Sequence, residues 1–110
     1  MPMDEPIRVI PAADLKSKLD RGEPVRLVNA LPQWEFDRSH IPGSEHFANL
    51  DDALNALKPD DEIVVYCTDP PCKASQKLYK DLVARGYTNV RRFEGGLVEW
   101  AEKGYPLEGE

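Results

Sequence analysis

The sequence predicts an α/β domain: a mostly parallel sheet with helices on both faces. Three observations lead there. Short strand-like and helical patterns alternate along the whole chain, and parallel strands need such crossover helices because tight hairpins cannot join them. Ile63-Val64-Val65-Tyr66, entered at Glu62, is a continuous apolar run of the kind buried on both sheet faces. The stretch from Lys73 to Arg85 spaces Leu78, Tyr79, Leu82 and Val83 as one apolar stripe, and Gly86 follows where a left-handed helix end is expected.

The elements follow in order. Arg8-Val9-Ile10 reads as a short strand, and Pro11 to Asp20 as a helix with Leu15 and Leu19 on one face and Gly22 near its end. Val25 to Asn29 is strand-like. Pro32 suits a helix's first turn, so Pro32 to Phe36 reads as a short helix. His40-Ile41-Pro42-Gly43 reads as a turn, Phe47 as part of a brief strand, and Leu50 to Leu57 as a helix stopped before Pro59. After the central strand and the long helix, Val90 to Phe93 is a strand, and Gly95-Gly96 leads into a last helix from Leu97 to Lys103. Residues 7–107 form the expected domain, with tails at 1–6 and 108–110.

Composition narrows the function. A chain of 110 residues is long enough for one core without metal or disulfide staples. A net charge of −6 and a pI near 4.9 argue against nucleic-acid and anionic-membrane binding, both of which need a basic face. No run approaches the ~18 apolar residues of a membrane span, and Met1 to Pro6 lacks the basic and apolar parts of a signal peptide. The expectation is a soluble, cytoplasmic protein with thiols kept reduced. Two cysteines, Cys67 and Cys72, are too few for a disulfide scaffold or, alone, for a zinc site. No metal or cofactor is expected.

Cys67 ends the central strand and precedes a helix by a few residues. Ligands of parallel sheets sit at the C-terminal ends of strands, and unpaired amides of a helix's first turn stabilise a thiolate or an attached anion. Cys67 is therefore the candidate nucleophile, against the commoner fate of a small buried hydrophobe.

Val64-Val65-Tyr66-Cys67, a helix ending at Gly86-Tyr87, then Val90 and Glu94-Gly95-Gly96-Leu97-Val98-Glu99-Trp100 together resemble a rhodanese domain. So do Phe36, His40-Ile41-Pro42-Gly43-Ser44 and Gly104-Tyr105-Pro106-Leu107. The resemblance runs from about Ile7 to Leu107. It implies a five-stranded parallel domain and a sulfurtransferase in which Cys67 accepts sulfane sulfur as a persulfide and passes it on. The implied active-site loop is Thr68, Asp69, Pro70, Pro71, Lys73, Ala74 and Ser75, whose backbone amides hold the outer sulfur or the incoming anion. The implied partners are a small sulfur donor and either a thiol acceptor or a sulfur-carrier protein. The oligomeric state stays open.

Several features depart from that family's pattern. The loop is about two residues longer than in common single-domain members. Pro70 and Pro71 donate no N–H and Asp69 is negative, which weakens an anion cradle. Asn29-Ala30-Leu31 stands where many members read Asp-x-Arg. Cys72, with four residues between it and Cys67, is a candidate resolving or relay residue if the two α-carbons come within ~7 Å; otherwise it packs at the helix start. Lys73 falls at the cysteine-to-arginine interval of cysteine phosphatases, but lysine cannot reproduce arginine's bidentate grip. Alternatives to sulfur transfer are a non-catalytic binding or regulatory module and a Cys67/Cys72 dithiol redox protein. Lys73, Lys77 and Lys80, with Arg91 and Arg92 nearby, form a basic stripe read mainly as a solvated face. His40 is expected to satisfy a backbone group, Trp34, Phe36 and Trp100 to pack in or at the rim of the core, and Gly95-Gly96 to allow close backbone approach to the cysteine loop.

Overall fold

The computed structural model describes residues 7–69 and 71–109. The expected tail at 1–6, Pro70 and Glu110 lie outside the described residues. Along the chain run α1 (Ala12–Asp20), β1 (Arg26–Asn29), α2 (Gln33–Arg38), β2 (Glu45–His46), α3 (Leu50–Ala56), β3 (Ile63–Tyr66), α4 (Lys73–Ala84), β4 (Val90–Phe93) and α5 (Gly96–Glu102). All strand pairs are parallel, in the order β2-β1-β3-β4. The expected fifth strand is reduced to one parallel bridge between Val9 and Arg92. Pairing stops there because the chain turns into α1 directly after Ile10, with Pro11 at the helix N-cap.

Alternation along the strands divides the core into two layers. Leu27, Val64, Tyr66 and Phe93 point to the α1 and α5 side, where Leu15 and Trp100 cover them. Val28, Ile63, Val65 and Val90 point to the α3 and α4 side, against Ala53, Tyr79 and Leu82. β3 is buried at every position, as its unbroken apolar run requires. Trp100 packs edge-on to Phe93 and Tyr105, and its indole N–H donates to the Pro106 carbonyl at 2.8 Å. Trp34, expected in or near the core, is 60% exposed on α2, and Val83 lies outside the buried stripe of α4. Gly86 takes the expected left-handed conformation, φ +91°. Glu108, placed in a tail by the sequence reading, exchanges two 2.8 Å backbone hydrogen bonds with His40.

The His40–Ser44 turn is tied to β3 by Tyr66. Ile41 N–H donates to the Tyr66 hydroxyl at 3.0 Å, that hydroxyl lies 2.6 Å from Ser44 Oγ, and Ser44 donates to the Ile41 carbonyl. Proton direction is then closed, with Tyr66 donating to Ser44. Burial pushes the Tyr66 pKa above its ordinary value, outweighing the hydrogen bonding with Ser44 that opposes it. Replacing Tyr66 by phenylalanine leaves the buried Ile41 amide unpaired and should cost about 1–3 kcal/mol. Denaturant titration checks this; an unchanged midpoint would show that the ring of bonds contributes nothing.

Candidate active site

Cys67 sits at the carboxyl end of β3, 2% exposed, at the junction of three elements. Its carbonyl accepts from Leu97 N at 3.0 Å and the Thr68 carbonyl from Val98 N at 2.9 Å, so the first turn of α5 clamps the start of the loop. This approach depends on Gly96, at φ +60°, whose α-carbon has no room for a side chain beside Cys67 and Thr68. The expected close approach at Gly95-Gly96 is thus present at its second glycine.

Beyond Cys67 the loop makes a tight turn, with Cys72 N donating to the Asp69 carbonyl at 3.1 Å. Cys72 occupies the N-cap of α4 without capping it through its side chain. The two sulfurs are bonded, with α-carbons 6.4 Å apart. That distance lies inside the ~7 Å limit posed by the sequence, and the bond differs from the expected reduced pair. Thr68 and Asp69 are half-buried, Pro71, Lys73 and Ala74 are exposed, and Ser75 is fully buried.

Ser75 Oγ lies 3.3 Å from Cys67 Sγ. A bonded sulfur carries no proton, so the hydroxyl is the donor in this contact. Its own lone pair is taken by Arg92, whose Nε–H donates to Ser75 Oγ at 2.9 Å; a second guanidinium nitrogen, Nη2, donates to the Cys72 carbonyl at 3.2 Å. Arg92 is 4% exposed and lies 3.5 Å from the Glu94 carboxylate. The sequence reading placed Arg92 with Arg91 in a surface stripe, and the structure corrects this. Arg92 pairs side by side with Val65 and shares its inward face, whereas Arg91 bonds Glu62 at 3.1 Å. Strand alternation carried the signal, since Arg92 is two residues from the core residue Val90. Of the lysine stripe, Lys73, Lys77 and Lys80 are exposed, and Lys77 pairs with Asp81 at 2.8 Å.

A groove of about 350 Å³ opens beside Thr68, walled by Leu31, Glu35, Arg38, Ser39 and Leu97. Asn29, standing for the family's aspartate, accepts from Leu31 N at 2.8 Å and shapes the end of β1. Both histidines bond backbone carbonyls: His40 Nδ1 donates to the Phe36 carbonyl and His46 Nε2 to the Leu31 carbonyl, each at 2.7 Å. Among the described residues no group of three His, Cys, Asp or Glu side chains could hold a metal. No helix among them is long and apolar enough to cross a membrane.

The comparisons with known proteins agree with this architecture. The family model described as "Rhodanese-like domain" matches residues 11–103. The chain is 32% identical to the HTH-type transcriptional regulator Rv0324 of Mycobacterium tuberculosis, over 96% of this chain and 47% of that protein. It is 31% identical to the adenylyltransferase and sulfurtransferase UBA4 of Candida albicans, over 92% of this chain and 25% of that one. It therefore spans less than half the length of either. With the thiosulfate sulfurtransferase GlpE of Pseudomonas fluorescens it shares 29% identity over 90% of this chain and 88% of the other. Among solved structures, the rhodanese-related protein of Thermoplasma volcanium superposes with a TM-score of 0.77 and 26% identity, covering 94% of this chain and 99% of that one. The BH2092 protein of Bacillus halodurans superposes with a TM-score of 0.84 over 93% of this chain and 77% of that chain, at 23% identity, a likeness of fold. From the parallel sheet, the cysteine at the end of its central strand and these likenesses together, the chain belongs to the rhodanese-like domain family.

Proposed function

We propose that the protein is a sulfurtransferase that carries sulfane sulfur on Cys67. The observation that carries the reading is the contact of Cys67 Sγ with the Ser75 hydroxyl, backed by the Arg92 guanidinium. A hydroxyl donor with a buried cation behind it favours a thiolate over a thiol. In the first step the Cys67 thiolate attacks the outer sulfur of a donor such as thiosulfate. A new S–S bond forms, the donor's S–S bond breaks, and sulfite leaves with the electron pair. In the second step an acceptor thiolate takes the outer sulfur and Cys67 regains its electron pair. The acceptor is a small thiol or a sulfur-carrier protein reaching the groove beside Thr68, and cytoplasmic reducing conditions suit this cycle.

A dithiol variant is favoured by the bond between Cys67 and Cys72. There the Cys72 thiolate attacks the inner sulfur of the Cys67 persulfide, the disulfide forms and hydrosulfide leaves. The non-catalytic module reading draws on Asp69 and Pro71 in the loop and on the likeness to a protein named as a transcriptional regulator.

Intact mass separates these readings. After reduction and desalting, exposure to thiosulfate or a persulfide donor should add about 32 Da, one sulfur, to Cys67. A loss of about 2 Da with sulfide release would mark the dithiol variant. An unchanged mass with every donor would leave the module reading.

A further inference from the structure

We propose that Arg92 is a positioning residue that gives the cysteine pair a direction: Cys67 is the sulfur that departs as thiolate, and Cys72 is the sulfur that an incoming thiol attacks. The proposal rests on the pair being a working dithiol and adds which sulfur plays which part.

Three structural facts point the same way. Arg92 holds both ends of the loop, since Nε bonds the hydroxyl touching Cys67 and Nη2 bonds the carbonyl of Cys72. It fixes the Ser75 hydroxyl as an acceptor toward itself, so the hydroxyl proton faces Cys67 Sγ at 3.3 Å. Exposure then splits the two residues, with Cys67 buried and Cys72 half-buried at the N-cap of α4. Exchange rates depend on access to the attacked sulfur and on how well the leaving sulfur holds negative charge. Access assigns attack to Cys72; the α4 N-terminus stabilises charge on Cys72, and the Ser75 hydroxyl backed by Arg92 outweighs it at Cys67, which departs.

The charged groups on the surrounding elements leave this assignment intact. Asp69 lies on the loop itself, Lys73 on α4, Glu94 just after β4 and Glu99 in the first turn of α5, with neutral Asn29 closing β1. Among the described residues Arg92 is the buried charge; Lys73 and Glu94 are exposed, and Asp69 and Glu99 half-buried.

A thiolate forms an S–S bond with Cys72 Sγ, the Cys67–Cys72 bond breaks, and its electron pair passes to Cys67. A second thiolate then attacks the mixed disulfide and releases Cys72. Two external thiols become one disulfide, and the protein gains two electrons.

The test begins with the oxidised protein, a limiting amount of 2-mercaptoethanol, and iodoacetamide to trap free thiols. Peptide mass mapping should place the mercaptoethanol adduct on Cys72 and the alkyl group on Cys67, about tenfold over the reverse. Equal or reversed placement overturns the proposal. In a Cys72→Ser background, Arg92→Gln should move the pH midpoint of Cys67 alkylation upward and slow the reaction about tenfold near neutral pH. Arg92→Lys should restore part of that rate, and Ser75→Ala should move the midpoint the same way by less. Ser75→Ala keeps the test available if Arg92→Gln fails to fold; an unmoved midpoint in either folded variant overturns Arg92's part. Neither measurement uses a sulfur donor. Failure of sulfur loading with polarity intact would therefore remove the transfer reading and leave this one standing.

Discussion

Cys67→Ser is expected to lower sulfane-sulfur transfer by at least about a thousandfold, because a hydroxyl in place of the thiolate removes the covalent intermediate altogether. The comparison belongs with reduced protein, since the substitution also removes the Cys67–Cys72 bond. Closing a loop this short stabilises the folded chain by about 2 kcal/mol in the chain-entropy account, so the oxidised protein would differ in stability as well as chemistry. Cys72→Ser should still load one sulfur on Cys67 and lose the later loss of about 2 Da. Steady-state turnover with thiosulfate and a thiol acceptor measures the first effect. Activity of Cys67→Ser within a few-fold of the parent protein would move the sulfur-carrying role off this residue.

The layering of the fold was legible because its cause is local. The apolar run Ile63–Tyr66 has no polar side on which to meet water, and the stripe Tyr79 and Leu82 repeats at helical spacing; both are buried where expected. Cys67's place followed from that run, since the residue ending a buried parallel strand lies at the ligand-binding edge of a sheet. The short strand at Arg8–Ile10 was overestimated, because propensity does not register that the chain turns into α1 directly after Ile10. Trp34 was misjudged for a related reason: a six-residue helix has too little periodicity to say which face it turns inward. Arg92 was the costliest miss. Composition treats arginine as a surface charge, whereas its alternation with Val90 along β4, and its register beside Val65, turn it toward the cysteines.

Gly96→Ala should be the most damaging single-methyl change in the chain. The glycine sits at φ +60°, and an added Cβ would lie 2.6 Å from the Thr68 carbonyl oxygen and closer still to that of Cys67. Left-handed backbone costs a residue with a Cβ about 1–2 kcal/mol. The neighbouring atoms are backbone rather than flexible side-chain ends, so the strands and α5 must separate to make room. A total near 3–4 kcal/mol is expected, equivalent to a fall in Tm of roughly 15 °C. Gly104→Ala is the matched control, because Gly104 has φ +75° and no atom within 4 Å of an added Cβ. It should lose only the conformational part, about 1–2 kcal/mol. Equal losses in thermal melts would mean that the approach of α5 to the cysteine loop adds nothing to stability.

The hydrogen bond from Leu97 N to the Cys67 carbonyl also bears on the order in which the molecule is made. Synthesis runs from the amino end and segments begin to organise as they emerge, so Cys67 leaves the ribosome well before the helix that anchors it. Until α5 arrives, the sheet face carrying Val64 and Tyr66 lacks the cover of Trp100, and the loop lacks its clamp. During that interval both cysteines belong to a nascent chain whose sulfurs are open to any oxidant or electrophile. Emergence of α5 closes that interval, so translation speed between Cys67 and α5 sets how long the unguarded thiols persist.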